Sequence, residues 1–168
     1  MGDNTFPKEW KVLSVRETLC LEQPGTWGDD AGDDPVPVLR AANLTKDGRI
    51  SSREVVLRSI PARDRTRKVF ADGDILLERS GGGPGQPVGR VARVRGLGEV
   101  YCSNFCQQLR ADPAVCDGEY LHRALWQLYE QGVTKRLERA TTGIRNLDYD
   151  GYLGHAVPVP PLPEQRAI

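Results

Sequence analysis

No run of about eighteen apolar residues occurs in the 168-residue chain, which excludes an ordinary membrane-spanning helix. The opening "MGDNTFPKEW" carries acids and no hydrophobic stretch. It does not read as an export signal, so a soluble, cytoplasmic protein without membrane partners is expected. Cysteine and histidine are scarce, at 4 and 2 residues. No C-x-x-C pair is present, and Cys102, Cys106 and Cys116 lack zinc-knuckle spacing, so free thiols are expected in preference to a metal site. Also missing are G-x-x-x-x-G-K-[ST], H-E-x-x-H, G-x-S-x-G, the [ND]-P-P-[YF] of amino-methyl transfer and a glycine motif for S-adenosylmethionine. The chain therefore reads as a binding module rather than an enzyme. A small nuclease using Asp74 and Glu78 of "DILLER" is the catalytic alternative, and no activating lysine follows Glu78.

Charge is abundant but unevenly placed. The 23 basic and 23 acidic residues cancel over the chain, yet residues 1–37 carry net −5, residues 38–110 net +7 and residues 111–168 net −2. The excess in the middle is nearly all arginine: Arg40, Arg49, Arg53, Arg58, Arg63, Arg65, Arg67, Arg79, Arg90, Arg93, Arg95 and Arg110. The planar guanidinium suits phosphates and guanine edges, so a polyanion partner for one face is expected. A solvated basic surface is the plain alternative. So is a protein–protein module without DNA affinity, acting through the Pro-rich tail and the acidic loop.

The order of elements points to an α+β domain, a twisted and mostly antiparallel sheet with flanking helices. Residues 10–19 alternate roughly and read as a strand or short helix. "EQPGTWGDDAGDDPVP" is a long acidic loop pinned by Trp27, followed by a strand over Val36–Leu39 and an Asp47-Gly48 turn. "VVLRSIP" reads as a short strand. "ARDRTRKVF" is a charged stretch ending on the apolar anchors Val69 and Phe70. "ILLER", "VGRVARV" and "EVYCSNFCQQLRA" read as strands, with Tyr101 and Phe105 in the core. Leu121, Leu125, Trp126, Leu128, Val133 and Leu137 fall at helical spacing, with Asp117 as cap and a break near Gly132. "TTGIRNLDYDGYLGH" reads as loop. The prolines at 158, 160, 161 and 163 keep the tail extended until a helix begins at Glu164.

The segment "LLERSGGGPGQPVGRV" (76–91) raises the question of a phosphate loop. It lacks Lys-Ser or Lys-Thr, and its prolines lead into a strand rather than a helix N-terminus, so neither an NTPase loop nor a dinucleotide fold is expected. What remains is strand, glycine-rich loop, strand. Bare glycines permit backbone approach to a phosphate, and the flanking Arg79, Ser80, Gln86 and Arg90 can meet phosphates or base edges.

Three ordered segments resemble the target recognition domain of DNA-specificity (S) subunits of type I restriction–modification systems. They are "VPVLRAANLTKDGRI", "DGDILLERSGGGPGQPVGRVARV" and "EYLHRALWQL…ATTGIRNLDYDGYLGHAVPVPPLPEQRAI". The resemblance spans nearly the whole chain. It implies a domain over residues 1–157 and, over 158–168, a junction and the first turn of a long spacer helix. It implies no chemistry and no cofactor in this chain. Partner methyltransferase subunits would use S-adenosylmethionine, and a restriction motor subunit would use ATP and magnesium. It also implies a double-stranded DNA target and a second recognition domain, or a second copy of the chain, joined through the long helix. Three loops would meet DNA: Arg40, Asn43 and Lys46; Arg79, Ser80, Gly82, Gln86 and Arg90; and Thr141, Thr142, Gly143, Arg145 and Asn146. Asn104 and Gln107 are further polar candidates.

Overall fold

The computed structural model describes residues 6–83, 85–141 and 143–168, the side chain of Thr141 excepted. The first half of the chain supplies β1 (Lys11–Ser14), β2 (Leu19–Pro24), β3 (Val36–Leu39), β4 (Val56–Arg58) and α1 (Ala62–Lys68). Its middle supplies β5 (Ile75–Glu78), β6 (Ser80–Gly81), β7 (Val91–Arg93), β8 (Tyr101–Cys102) and β9 (Cys106–Ala111). Then come α2 (Gly118–Glu130), α3 (Val133–Arg136), β10 (Glu138–Thr141), β11 (Ile144–Leu147), α4 (Tyr149–Leu153), β12 (Ala156–Val159) and α5 (Leu162–Gln165). The fold is α+β, and among the described residues every strand pairing is antiparallel except that of β3 with β8. No helix among the described residues is long and apolar enough to cross a membrane.

The central sheet has the order β2-β9-β5-β7. β5 is covered on both faces, which explains its unbroken apolar run. Ile75 and Leu77 pack with Leu121, Leu125 and Leu128 of α2, while Leu76 faces Leu39, Phe70, Val94 and Val100. The same alternation sends Glu78 to the Leu76 side, where it is fully buried. β7 follows suit, with Val91 toward α2 and Ala92 on the opposite side.

Asp117 caps α2 as expected, accepting from the amides of Glu119 and Tyr120 at 2.8 and 3.2 Å. Gly132, at φ 70°, ends that helix in the left-handed region, which glycine enters without steric cost. Beyond α3 the expectation fails. Residues 138–147 form the β10–β11 hairpin and residues 149–153 a short helix, where helix and then loop were expected. Gly143, at φ 81°, lies in the turn of that hairpin. "ARDRTRK" is a helix without a buried residue, so it leaves no apolar stripe in the sequence to announce it.

The tail is built into the body. β12 pairs with β1, Pro158 standing opposite Val12 at the rim of a two-stranded sheet, so one strand straddles the expected 157/158 boundary. α5 starts at Leu162, two residues before the expected Glu164, with Pro163 in its first turn. Gln165 is 2% exposed and clamps three segments. Its Oε1 accepts from Asp117 N at 2.7 Å, and its Nε2 donates to Pro160 O at 2.7 Å and Val115 O at 3.1 Å. Gln165→Leu strands these buried backbone groups, and we expect it to cost about 2 kcal/mol in urea unfolding, with the spectrum of the folded state unchanged.

Candidate nucleic-acid interface

Arg90 organises the candidate loops from beneath. It shares the side of Ala92, two residues on, and is 5% exposed. Its Nε and Nη2 donate to the two oxygens of Glu78 at 2.9 and 3.0 Å. Nη1 donates to Leu44 O at 2.5 Å and Nη2 to Ala41 O at 2.9 Å. With its amide oxygen turned inward, Gln86 also accepts from Nη2, at 2.8 Å. One buried cation thus joins β5, the 3-10 turn Ala41–Asn43 and the Gly-rich loop. A planar five-donor fork suits this task, and lysine would not.

This corrects the expected role of Arg90, which cannot meet a duplex while its donors are engaged inside the protein. Asn43 is corrected likewise. Its Oδ1 accepts from Arg40 N at 2.9 Å, and its Nδ2 donates to Arg53 O and Ser51 O at 2.9 and 3.2 Å. The residue is 1% exposed, so it shapes the first loop from within and is not presented at the surface. Lys46 is exposed on the Thr45–Arg49 turn, whose Gly48 packs on Trp126.

The second and third loops form one sheet. β6, inside the Gly-rich segment, pairs with β11, placing Ser80 opposite Asn146 and Gly81 opposite Arg145. Ser80 is buried and its hydroxyl donates to Asn146 Oδ1 at 2.7 Å. Arg145 is half-buried and held by Glu138 at 2.5 Å. Gly82 adopts φ 64°, and a Cβ there would come within 2.9 Å of Gln86 O. Gly83 and Gln86 close the loop tip with two backbone bonds of 2.8 and 3.0 Å. Thr142 lies outside the described residues; the backbone of Thr141 ends β10, and Gly143 is exposed.

Arg79 is exposed, with its guanidinium 5.2 Å from the centre of the Tyr149 ring. Gln107, buried and therefore removed from the expected contact set, turns its amide oxygen to Arg79 Nη1 at 2.9 Å. Burial, and then the 2.5 Å bond its hydroxyl donates to Glu22, push the Tyr149 phenol upward. The ring beneath Arg79 is therefore neutral and the cation keeps its full charge for a partner.

A fourth loop joins the set. Cys106 N donates to Ser103 O at 2.9 Å, closing a turn that displays Asn104 and Phe105. Arg79 N and Ser80 N both donate to Phe105 O, at 2.9 and 3.0 Å, which binds this turn to the Gly-rich segment. Phe105 was expected in the core, yet it is 49% exposed. The consecutive turn-formers Ser103 and Asn104 were the available signal.

The basic middle is partly neutralised by the acidic loop. Arg58 pairs with Asp30 at 2.7 Å and Arg65 with Asp34 at 2.5 Å. Trp27 pins the loop as expected, lying under Arg58 with the guanidinium 4.6 Å from its ring centre. Arg93, Arg95 and Arg123 share Glu119. Arg40, Lys46, Arg53 and Arg79 have no carboxylate partner among the described residues. The two carboxylates of the nuclease alternative are each matched to an arginine, Asp74 to Arg110 at 2.7 Å and Glu78 to Arg90. No group of three metal-type ligands occurs among the described residues. Cys102, Cys106 and Cys116 are free, buried thiols, and burial raises all three, Cys106 and Cys116 to about 12.

Comparison of the sequence with family models and with curated proteins gives no match. Comparison of the fold with solved structures does. The HsdS subunit from Thermoanaerobacter tengcongensis superposes with a TM-score of 0.66 at 20% identity, over 99% of this chain and 42% of that one. A chain from a study of assembly and conformational transition in the type I R-M system gives 0.64 at 21% identity, over 96% and 40%. The type I restriction-modification S subunit from M. genitalium gives 0.61 at 16%, over 98% and 38%. The chain thus has the fold of a part of these subunits and spans about two-fifths of their length.

Proposed function

We propose that this chain is a DNA-recognition domain, reading one part of a double-stranded target as the specificity component, or half of it, of a type I restriction–modification system. Adenine methylation and restriction would belong to partner methyltransferase and motor subunits, which would bring S-adenosylmethionine, ATP and magnesium. The observation that carries the reading is the convergence of four turns on one buried arginine and one small sheet. Two of the candidate sets, around Arg79 and around Arg145, are neighbours in that sheet, and the first loop is tied to them through Arg90. The fold shared with S subunits agrees with it.

In this reading Arg79, Arg53 and Arg145, with the backbone amides of the glycine loop, set the register on phosphates. Asn104 and Asn146 test base edges. Fluorescence anisotropy with a labelled duplex tests it. With about three phosphates neutralised, affinity falls with a log–log salt slope near −2.7, or about fortyfold from 50 to 200 mM salt. Arg79→Ala lowers the magnitude of that slope by about one. Duplex binding that ignores salt, or none at all alongside salt-insensitive protein binding, would favour the protein–protein module instead.

A further inference from the structure

Between the first loop, the Gly-rich segment and the Ser103–Cys106 turn lies an open cleft of about 400 Å³. Trp27, Arg40, Ala42, Gly81, Asn104 and Phe105 line it. Its walls are mostly hydrocarbon, although it sits amid arginines on the face assigned above to a polyanion. A surface that only neutralises phosphate has no use for such a centre. The major groove presents one hydrocarbon group at its base edges, the C5-methyl of thymine. Arg40, whose guanidinium is anchored by Nη2 to Glu54 O at 2.9 Å, and the exposed Asn104 border the cleft.

We infer that this cleft, with the half-exposed Phe105 ring as one apolar wall, selects for thymine by seating the C5-methyl group. Asn104, exposed beside the ring, would take an adjoining adenine through its N6 and N7 positions. Phe105 is then a specificity-determining contact, not a source of general affinity. Its carrier turn is rigid because the Phe105 carbonyl accepts two backbone bonds, and rigidity is what a shape-selective contact needs.

The inference rests on the DNA-binding reading, and the test separates the two. The 168-residue chain is used to select preferred duplexes from a random-sequence pool, and each thymine of a selected duplex is then replaced by deoxyuridine, which lacks only the methyl group. At one or two positions the replacement weakens binding about fourfold, the value of one buried methyl group. Phe105→Ala abolishes that discrimination while leaving the salt-dependent component of binding in place. Ala42→Leu, at an exposed position lining the cleft, does the same by filling it with hydrocarbon while leaving the charge of the face unchanged, and it serves as the second variant should Phe105→Ala fail to fold. The inference is overturned if every uracil replacement changes affinity by less than about twofold, or if the folded Phe105→Ala chain keeps the penalty. A chain that binds no duplex at any salt concentration removes the DNA-recognition reading itself, and the inference with it.

Discussion

Arg90→Ala is expected to lower the free energy of unfolding by about 3–5 kcal/mol, a large share of the roughly 5–15 kcal/mol that holds a domain of this size together. The reason is the environment left behind. Glu78 is fully buried and the guanidinium supplies both of its close partners. Alanine leaves a carboxylate in the interior without a counter-charge, and it also deprives the Leu44 carbonyl of its side-chain donor and the Ala41 carbonyl of one of its two. Urea unfolding followed by tryptophan fluorescence measures the loss. Replacing both charged partners, as in Arg90→Met with Glu78→Leu, should recover most of it, because an apolar pair requires no desolvation of ions. The recovered protein should still bind DNA poorly, since methionine cannot hold the first loop against the Gly-rich loop. A double variant as unstable as the single one would contradict the assignment of the cost to an unpaired buried charge.

Gly25→Ala should cost about 3 kcal/mol, the upper end for added core volume, and should weaken DNA binding as well. A Cβ at Gly25 would stand 2.1 Å from Ser103 O and 2.3 Å from Cys102 O, both of them backbone atoms. Side chains can rotate away from a new methyl group, but two carbonyls fixed in a strand and its turn cannot. Thr26 N donates to Cys102 O at 2.8 Å and Gly25 N to Cys106 O at 3.1 Å, so the displaced backbone is the one that carries Phe105. Comparison of Gly25→Ala with Gly83→Ala is the control, since nothing lies within 4 Å of a Cβ at Gly83. Gly83→Ala should be close to neutral for stability. Equal losses in both variants would contradict close backbone approach as the cause, since the chain-entropy effect of Gly→Ala is itself stabilising.

Several features were readable in the residues alone. Helix α2 announced itself by its 3.6-residue apolar period, its Asp117 cap and its Gly132 stop, all of which depend on neighbours in sequence. β5 was readable as an apolar run entering a glycine loop, and Trp27 as an anchor within acidic residues. The β10–β11 hairpin was not. Its exposed Ile144 and Arg139 give no alternation, and it is held by backbone bonds to β6, more than sixty positions earlier. α1 was equally silent. It is fastened by Tyr101, whose hydroxyl donates to Arg65 O at 2.9 Å, and by the Arg65 ion pairs with Asp34 and Glu99.

The candidate interface divides the same way. Composition and order alone determined that a basic, glycine-containing middle would form strands around flexible turns, and the ordered segments pointed to DNA recognition. Only the tertiary structure decided which arginine faces outward. Arg79 and Arg90 flank one loop and look alike in sequence, yet strand alternation and the buried Glu78 draw Arg90 inside, while Arg79 lies over Tyr149 at the surface. It also brought Phe105 out to the surface, because the turn that carries it is bound by its carbonyl to another loop. Local patterns report which residues share a face; long-range pairing of charges and backbone groups determines which face meets water.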